Sequence, residues 1–174
     1  MFDLDHARSG NGAATVPVLA GPIGDRKGMA MRFYETTATI QASPDTIWAI
    51  LSDGAGYTDW DSGVVRVEGR IAPGEKIKVV SSANPKRAFP VKVTEFTPGS
   101  SMTWTGGMPL GLFKGVRTYR LTPHGDGTTG FVMREEYTGP LTNMIWKSMP
   151  DLQPSFDQFA KGLKAKAEAP GSPS

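Results

Sequence analysis

The chain has 174 residues, of which 39% are hydrophobic and 21% are charged, and it contains no cysteine. A length of this order fits one domain with a real hydrophobic core, and the composition is that of an ordinary globular protein. Its 19 basic and 17 acidic residues leave a formal charge of +2, too small and too scattered for a nucleic-acid-binding face, and the absence of cysteine excludes disulfides, thiolate catalysis and zinc–sulfur sites.

The first thirty residues are rich in glycine and alanine and show no sustained period. We predict a disordered or loosely attached leader over residues 1–30, with Met29 or Met31 as an alternative native start. Pro17 and Gly21 interrupt its only apolar patch, so a signal peptide is not indicated. Since no apolar run approaches the ~18 residues that span a bilayer, we predict a cytoplasmic protein without an integral membrane segment.

The first regular elements are a strand and a helix. Residues 31–40 alternate with the period of a strand. Ser43, Pro44 and Asp45 then supply an N-cap, a proline at the first helical position and an acid in the first turn. A second short helix or helical turn follows and ends at Trp60, for which a role in the core and a role in a pocket wall are both open.

Turn signals divide the next part of the chain into short strands, predicted at 64–71, 76–81, 87–96 and 101–105. Phe89 and Val91 share one face of the third of these strands, while Met102 and Trp104 point inward from the fourth. Residues 106–113 combine four small or bending residues with four large apolar ones. This segment is either a mobile lip of a pocket or a loop packed on its own apolar side chains.

Residues 115–137 are predicted to form a hairpin of two strands. If its turn is centred on Asp126, antiparallel pairing sets three pairs of residues opposite each other: Leu121 and Phe131, Tyr119 and Met133, and Arg117 and Glu135. The charged pair would then share a face with apolar neighbours, where ions are costly unless they are paired or reach water.

Histidine is scarce and badly placed for catalysis. The two histidines are His6 in the leader and His124 in the hairpin turn, and both positions look solvated. We therefore predict neither a histidine-based triad nor a multi-histidine metal site, and no cofactor.

The C-terminal part is helical. Leu152, Phe156, Phe159 and Leu163 form one apolar stripe at helical spacing. Because prolines at 150 and 154 precede this stripe, residues 140–149 form either a separate short helix or a kinked first portion of the long one. Residues 169–174 are predicted to be a disordered tail.

The predicted order is a strand, two short helices, roughly six further strands and one long helix, an α+β arrangement. A curved antiparallel sheet must cover its concave face, and the last helix is the available cover. Six segments occur in a specific order: Ile40-x-Ala42-Ser43-Pro44-x-x-Ile47-Trp48-x-x-Leu51-x-Asp53, Tyr57-x-x-Trp60, Met102-x-Trp104, Gly115-x-Arg117-x-Tyr119-x-Leu121, Glu135-x-Tyr137-x-Gly139 and Leu163-Lys164-x-x-x-Glu168.

With these segments, residues 31–168 resemble the START-like helix-grip superfamily (SRPBCC), in its branch of polyketide cyclases/dehydrases and lipid-transport domains. The resemblance implies a curved sheet of roughly six to seven strands wrapped around the last helix, and an internal pocket for an apolar or aromatic ligand. Some relatives often carry a histidine on the inner faces of the two hairpin strands, where this sequence has Arg117 and Met133. That departure weakens any transfer of acid–base roles.

Two main functions and one further alternative follow from the resemblance. The favoured one is binding or transport of a small hydrophobic ligand, lipid-like or polyketide-like, in a pocket lined by Trp60, Phe89, Val91, Met102, Trp104, Arg117, Tyr119, Met133, Glu135, Tyr137, Phe156 and Phe159. The alternative is a cyclase, aromatase or dehydratase in which Arg117, Glu135 and Tyr119 act on a poly-β-ketone. A module that works through protein partners is the further alternative, and a purely structural ion pair remains open for Arg117 and Glu135. The sequence does not indicate an oligomeric state.

Overall fold

The computed structural model describes residues 31–171, so the predicted leader and the last three residues of the predicted tail lie outside the described residues. Seven strands form one antiparallel sheet in the order β1-β7-β6-β5-β4-β3-β2. Their bounds are Arg32–Ile40 (β1), Val64–Glu68 (β2), Lys76–Ser81 (β3), Ala88–Thr97 (β4), Ser101–Gly107 (β5), Lys114–Pro123 (β6) and Thr129–Thr138 (β7).

Three α-helices and two short 3-10 helices complete the described chain. The α-helices are Pro44–Ser52 (α1), Thr142–Ser148 (α2) and Gln153–Glu168 (α3), and the 3-10 helices are Ala55–Thr58 and Pro109–Gly111. The predicted fold class is confirmed: a curved antiparallel sheet wraps around a long C-terminal helix, with two short helices after the first strand. Of the two alternatives for residues 140–149, the separate short helix is the one observed.

The start of α1 follows directly from its first residues. Ser43 is the N-cap, and its Oγ accepts a hydrogen bond from the Thr46 backbone N–H at 3.1 Å. Pro44 is the first helical residue and Asp45 lies in the first turn. This cap satisfies one of the backbone N–H groups that a helix leaves without a partner at its start.

Replacing Ser43 by alanine should lower the free energy of unfolding by about 1 kcal/mol, because the cap hydrogen bond is lost. Urea unfolding followed by circular dichroism measures the change. Ser100→Ala, in the exposed turn after β4, is the matched control and should leave the unfolding midpoint within error. Equal shifts for the two variants would contradict the capping role.

The final helix covers the concave face of the sheet through the apolar stripe predicted from its sequence. Phe156, Phe159 and Leu163 are buried, and Leu152 at the start of the helix is half-buried. At Gly162 the helix approaches the chain at Asp61 so closely that a Cβ atom would overlap the Asp61 carbonyl oxygen.

Polar side chains of α3 cover the free edge of the sheet at β1. An uncovered edge strand presents backbone groups on which another chain can pair. The covering bonds run from Gln153 Nε2 to the Glu35 carbonyl (2.9 Å), from Lys164 Nζ to the Thr39 carbonyl (2.7 Å) and from the Gln41 N–H to Glu168 Oε1 (2.7 Å). Lys164 and Glu168 also pair with each other, so the closing Lys164-x-x-x-Glu168 segment joins the helix to the sheet.

Candidate functional site

The register of the central strands brings polar residues into one row on the inner face of the sheet. Arg117 pairs with Glu135 across β6 and β7, as predicted from the hairpin. On the far side of β6, Arg117 lies opposite Trp104 of β5, and Glu135 lies opposite Tyr34 of β1. Because cross-strand partners share a face of the sheet, these four side chains form a continuous row across four strands.

Both members of the ion pair are held at close range. Arg117 donates from Nε (2.7 Å) and Nη2 (2.5 Å) to the same oxygen of Glu135, Oε2. The side chains keep 24% and 16% of their surface exposed, so the pair reaches solvent at one end of the sheet. The guanidinium also lies over the Phe156 ring, 5.0 Å from its centroid. The pair is therefore half-buried, with the Phe156 ring of α3 on one side of the guanidinium.

The charge of Arg117 is secured by its neighbours. Burial by itself lowers the pKa of the Arg117 guanidinium, but the Glu135 carboxylate, Tyr119 and Tyr137 raise it above its ordinary value. Burial, followed by the Glu135 charge, raises the pKa of the Tyr137 hydroxyl. The site therefore offers a fixed cation beside a neutral hydroxyl.

Three buried aromatic donors lack an acceptor, although the Tyr119 oxygen itself lies within reach of the Arg117 guanidinium, which can only donate to it. They are the indole N–H groups of Trp60 and Trp104 and the hydroxyl of Tyr119. Burial also raises the pKa of the Tyr119 hydroxyl, and the nearby Arg117 charge offsets only part of that rise. Buried polar groups without partners are uncommon and call for an explanation such as an absent water or ligand.

Aromatic rings fill the space between the sheet and α3. Phe159 lies at the centre of a cluster, with ring centroids 5.1 Å from Trp60, 5.8 Å from Tyr119 and 6.2 Å from Phe131. Trp104 packs on Tyr119 at 5.0 Å. Such distances are those of rings in direct contact, so the hollow that the sequence predicted beneath the last helix is closed in this conformation.

Two hollows among residues 31–171 open on the outside of the molecule. One, of about 190 Å³, is lined by Ala49, Ile50, Asp53, Gly56, Asp59, Trp60 and Lys166. The other, of about 360 Å³, lies between β1 and α3 and is lined by Thr36, Thr37, Ala38, Thr39, Asp157, Ala160, Lys161 and Lys164. Neither contains the ion pair. The first is lined by one predicted ligand-binding residue, Trp60, and the second by none.

Most of the predicted ligand-binding residues lie together in the structure, and one of them lies apart. Those buried on the inner face or on α3 are Met102, Trp104, Tyr119, Met133, Tyr137, Phe156 and Phe159. Trp60 and Val91 are half-buried against the same core. Phe89 departs from the prediction: 38% of it is exposed and its ring contacts Arg87, because this end of β4 extends beyond the cover of α3.

A second aromatic cluster beside the ion pair was missed by the sequence reasoning. Tyr34 of β1 stacks on Trp146 of α2, with ring centroids 4.9 Å apart, and Tyr137 contacts Trp146 at 5.8 Å. Phe113 stacks on the other side of Tyr137 at 5.6 Å. The alternation of residues along β1 could have placed Tyr34 on the inner face of the sheet. The α2 segment is too short for a helical hydrophobic period to show which way Trp146 faces.

Neither a metal-ligand cluster nor a membrane-spanning helix is found in the part of the chain that the structure describes. No group of three or more His, Cys, Asp or Glu side chains there is placed to hold a metal ion. No helix among the same residues has the length and apolar character needed to cross a bilayer.

Comparison with known proteins identifies the architecture. The family model described as polyketide cyclase / dehydrase and lipid transport matches residues 31–168. No curated protein gives a significant match. Among solved structures, a hypothetical protein from Helicobacter pylori has a TM-score of 0.65 at 11% identity, over 79% of this chain and 88% of that one.

Two further solved structures have informative names. An aromatase/cyclase from Streptomyces sp. R1128 has a TM-score of 0.61 at 15% identity, over 80% of this chain and 94% of that one. A START superfamily protein from Mycobacterium smegmatis has a TM-score of 0.57 at 16% identity, over 78% and 97%. At such identities the likeness shows the shared fold.

Proposed function

Because this chain belongs to the polyketide cyclase/dehydrase and lipid transport family, and is thereby a helix-grip module of the ligand-binding or cyclase type, we propose that it binds a small aromatic or polyketide-like molecule carrying acceptor oxygens. The observation that carries the proposal is a pair of buried donor hydrogens without an acceptor, on Trp104 Nε1 and on the Tyr119 hydroxyl, beside the charged Arg117. A carbonyl or phenolate oxygen would accept from all three.

In this proposal the ligand enters the interior at the Arg117–Glu135 pair, whose side chains are partly exposed. The Arg117–Glu135 pair reaches solvent there, beneath Phe156 and next to the stacked rings of Tyr34 and Trp146. Trp146 belongs to α2, a helix of only seven residues, so displacing its indole disturbs little regular structure. A flat aromatic ligand would take the place of that indole on Tyr34 and direct its oxygen toward Arg117.

A matched pair of probes tests the proposal: 2-acetylnaphthalene, which has a carbonyl acceptor, and 2-ethylnaphthalene, which has none. We expect isothermal titration calorimetry to show tighter binding of the ketone. Tyr119→Phe and Trp104→Phe should each reduce that preference about fivefold, since one hydrogen bond contributes about 1 kcal/mol. Trp146→Ala should keep the preference and strengthen binding of both probes.

The control is Arg134→Met, which removes an arginine from the outer face of the same hairpin, where it pairs with Glu136 and Glu35. This variant should bind both probes as the parent does. Melting temperatures confirm that each variant is folded. Equal affinity of the two probes, or no change on Tyr119→Phe and Trp104→Phe, would reject the proposed acceptor-oxygen ligand.

A cyclase activity is the second candidate, favoured by the groups around Arg117. The positive charge of Arg117 would stabilise the oxygen of an enolate formed beside it. Glu135 would take the proton from the α-carbon, and the Tyr119 hydroxyl would protonate the alkoxide formed by aldol closure before water leaves. Incubation with a synthetic linear polyketone should then yield a cyclised aromatic product with the parent and with Arg134→Met, and none with Glu135→Gln.

A further inference from the structure

One end of the molecule displays large apolar side chains to solvent. Leu110 is 95% exposed and Met108 is 44% exposed, both in the loop between β5 and β6, while Met144 on α2 is 63% exposed. The two segments adjoin, since the Leu141 N–H donates to the Leu112 carbonyl at 3.0 Å. We call this surface, formed by residues 108–112 and Met144, the apolar tip.

The backbone holds Leu110 in an unfavourable conformation. Its φ of 60° makes it the one non-glycine residue with positive φ among residues 31–171. Hydrogen bonds fix the loop around it, from the Met108 N–H to the Phe113 carbonyl (2.7 Å) and from the Leu112 N–H to the Pro109 carbonyl (3.3 Å). A leucine in the left-handed conformation costs free energy, and at 95% exposure its side chain makes no compensating contact in the core of this chain.

The surroundings of the apolar tip are basic. Residues 104–119 and 137–150 contain no acidic residue. Lys114 at the start of β6 and Lys147 on α2 are exposed, and neither has an ion-pair partner within the described residues. A bilayer with acidic lipids has an apolar interior beneath anionic headgroups. Projecting apolar side chains beside lysines without ion-pair partners match both layers of such a bilayer.

We propose that the apolar tip docks on anionic phospholipid bilayers, with Leu110 inserted among the acyl chains and Lys114 and Lys147 against the headgroups. A bilayer fits this surface better than a protein partner does, because a projecting side chain needs no complementary pocket in a fluid interface. Phe113 and Trp146 connect the tip to Tyr137 beside the ion pair. The inference does not depend on the proposed ligand.

Vesicle co-sedimentation of the full chain tests the docking. The probes are vesicles of phosphatidylcholine and phosphatidylglycerol in roughly a 3:1 ratio, and vesicles of phosphatidylcholine alone. We expect tighter binding to the anionic vesicles. Leu110→Ser should weaken it about tenfold, whereas Val65→Ser, which removes an exposed apolar side chain from the edge strand β2, should not.

Two further sets of variants test the roles of the lysine charges and of the backbone strain at Leu110. Lys114→Gln with Lys147→Gln should weaken anionic binding about 25-fold, since each lysine near the surface is worth about fivefold. The exposed pair Lys76→Gln with Lys86→Gln is the control. Leu110→Gly should weaken binding without lowering the melting temperature, because glycine accepts a positive φ.

Two outcomes would overturn the inference. The first is equal or absent binding to the two vesicle types. The second is a dimer in sedimentation equilibrium that Leu110→Ser abolishes, which would make the apolar tip an interface between two copies of this chain. Tyr119→Phe, placed in the ligand site, should bind vesicles as the parent does, so failure of the ligand proposal and failure of vesicle docking are told apart.

Discussion

Replacing Gly162 by alanine is expected to lower the free energy of unfolding by about 1–2 kcal/mol, although alanine is the better helix former. Inside a helix, alanine gains about 1 kcal/mol over glycine. Here the added Cβ would overlap the Asp61 carbonyl and lie 3.1 Å from Trp60 Cε3. Overpacking against backbone typically costs about 1–3 kcal/mol and sometimes more. Because α3 cannot move away without uncovering Phe159, we expect the overlap to outweigh the propensity.

Urea unfolding followed by circular dichroism measures this effect. Gly125→Ala is the matched control, because a Cβ added there meets nothing within 4 Å. We expect the control to stay within about 0.5 kcal/mol of the parent. An unchanged or raised unfolding midpoint for Gly162→Ala would show that α3 does not lie against Asp61 in solution.

Arg117→Met should destabilise the protein by about 2–3 kcal/mol, since it leaves the Glu135 carboxylate half-buried and unpaired. Removing one partner of a fully buried pair costs about 3–5 kcal/mol. This pair retains 24% and 16% exposure of its side chains, which lets water solvate the remaining charge and lowers the cost. Adding Glu135→Gln should recover most of the loss, because the uncompensated charge is then removed.

A double-mutant cycle separates this pair from ordinary surface electrostatics. The control cycle combines Arg134→Met with Glu136→Gln, whose ion pair lies on the outer face of the same strand. Exposed pairs are worth about 0–1 kcal/mol, so the control coupling should be small. If the two cycles gave equal coupling energies, the inner pair would be no more than another surface contact.

The same inner pair also explains why a stability measurement alone does not decide its role. A structural brace predicts destabilisation on Arg117→Met and no ligand preference to lose. A ligand-orienting pair also predicts destabilisation on Arg117→Met, and in addition it predicts a preference for the ketone that Tyr119→Phe reduces. The two readouts therefore divide a purely structural pair from a binding site.

Local patterns in the sequence were sufficient to predict most helices and strands and the register of one strand pair, β6 with β7. The Ser43-Pro44-Asp45 start of α1 was correct because a cap depends on residues within one turn. The pairing of Arg117 with Glu135 was correct because a tight hairpin turn fixes the register of both strands. The apolar stripe of α3 likewise needed only the helical period.

Placement of side chains between distant elements was decided by the tertiary structure. Phe89 has the right strand face but lies beyond the cover of α3, and only the length and position of that helix could show this. Trp146 reaches Tyr34 because α2 folds back over β1, a contact between segments more than a hundred residues apart. Gly162 is explained by the approach of Asp61 and by nothing in its own neighbourhood along the chain.

A helix-grip domain could be inferred from the residue pattern together with the family resemblance, and a charged pair on the apolar face of its hairpin could be inferred from strand alternation. The packing of distant elements was needed to show that aromatic rings close the interior, that the donor hydrogens of Trp104 and Tyr119 have no acceptor there, and that Leu110 projects from the loop beside α2. The physical reason is that periodicity and capping act over a few residues, whereas filling a core depends on the combined volumes of side chains from every element.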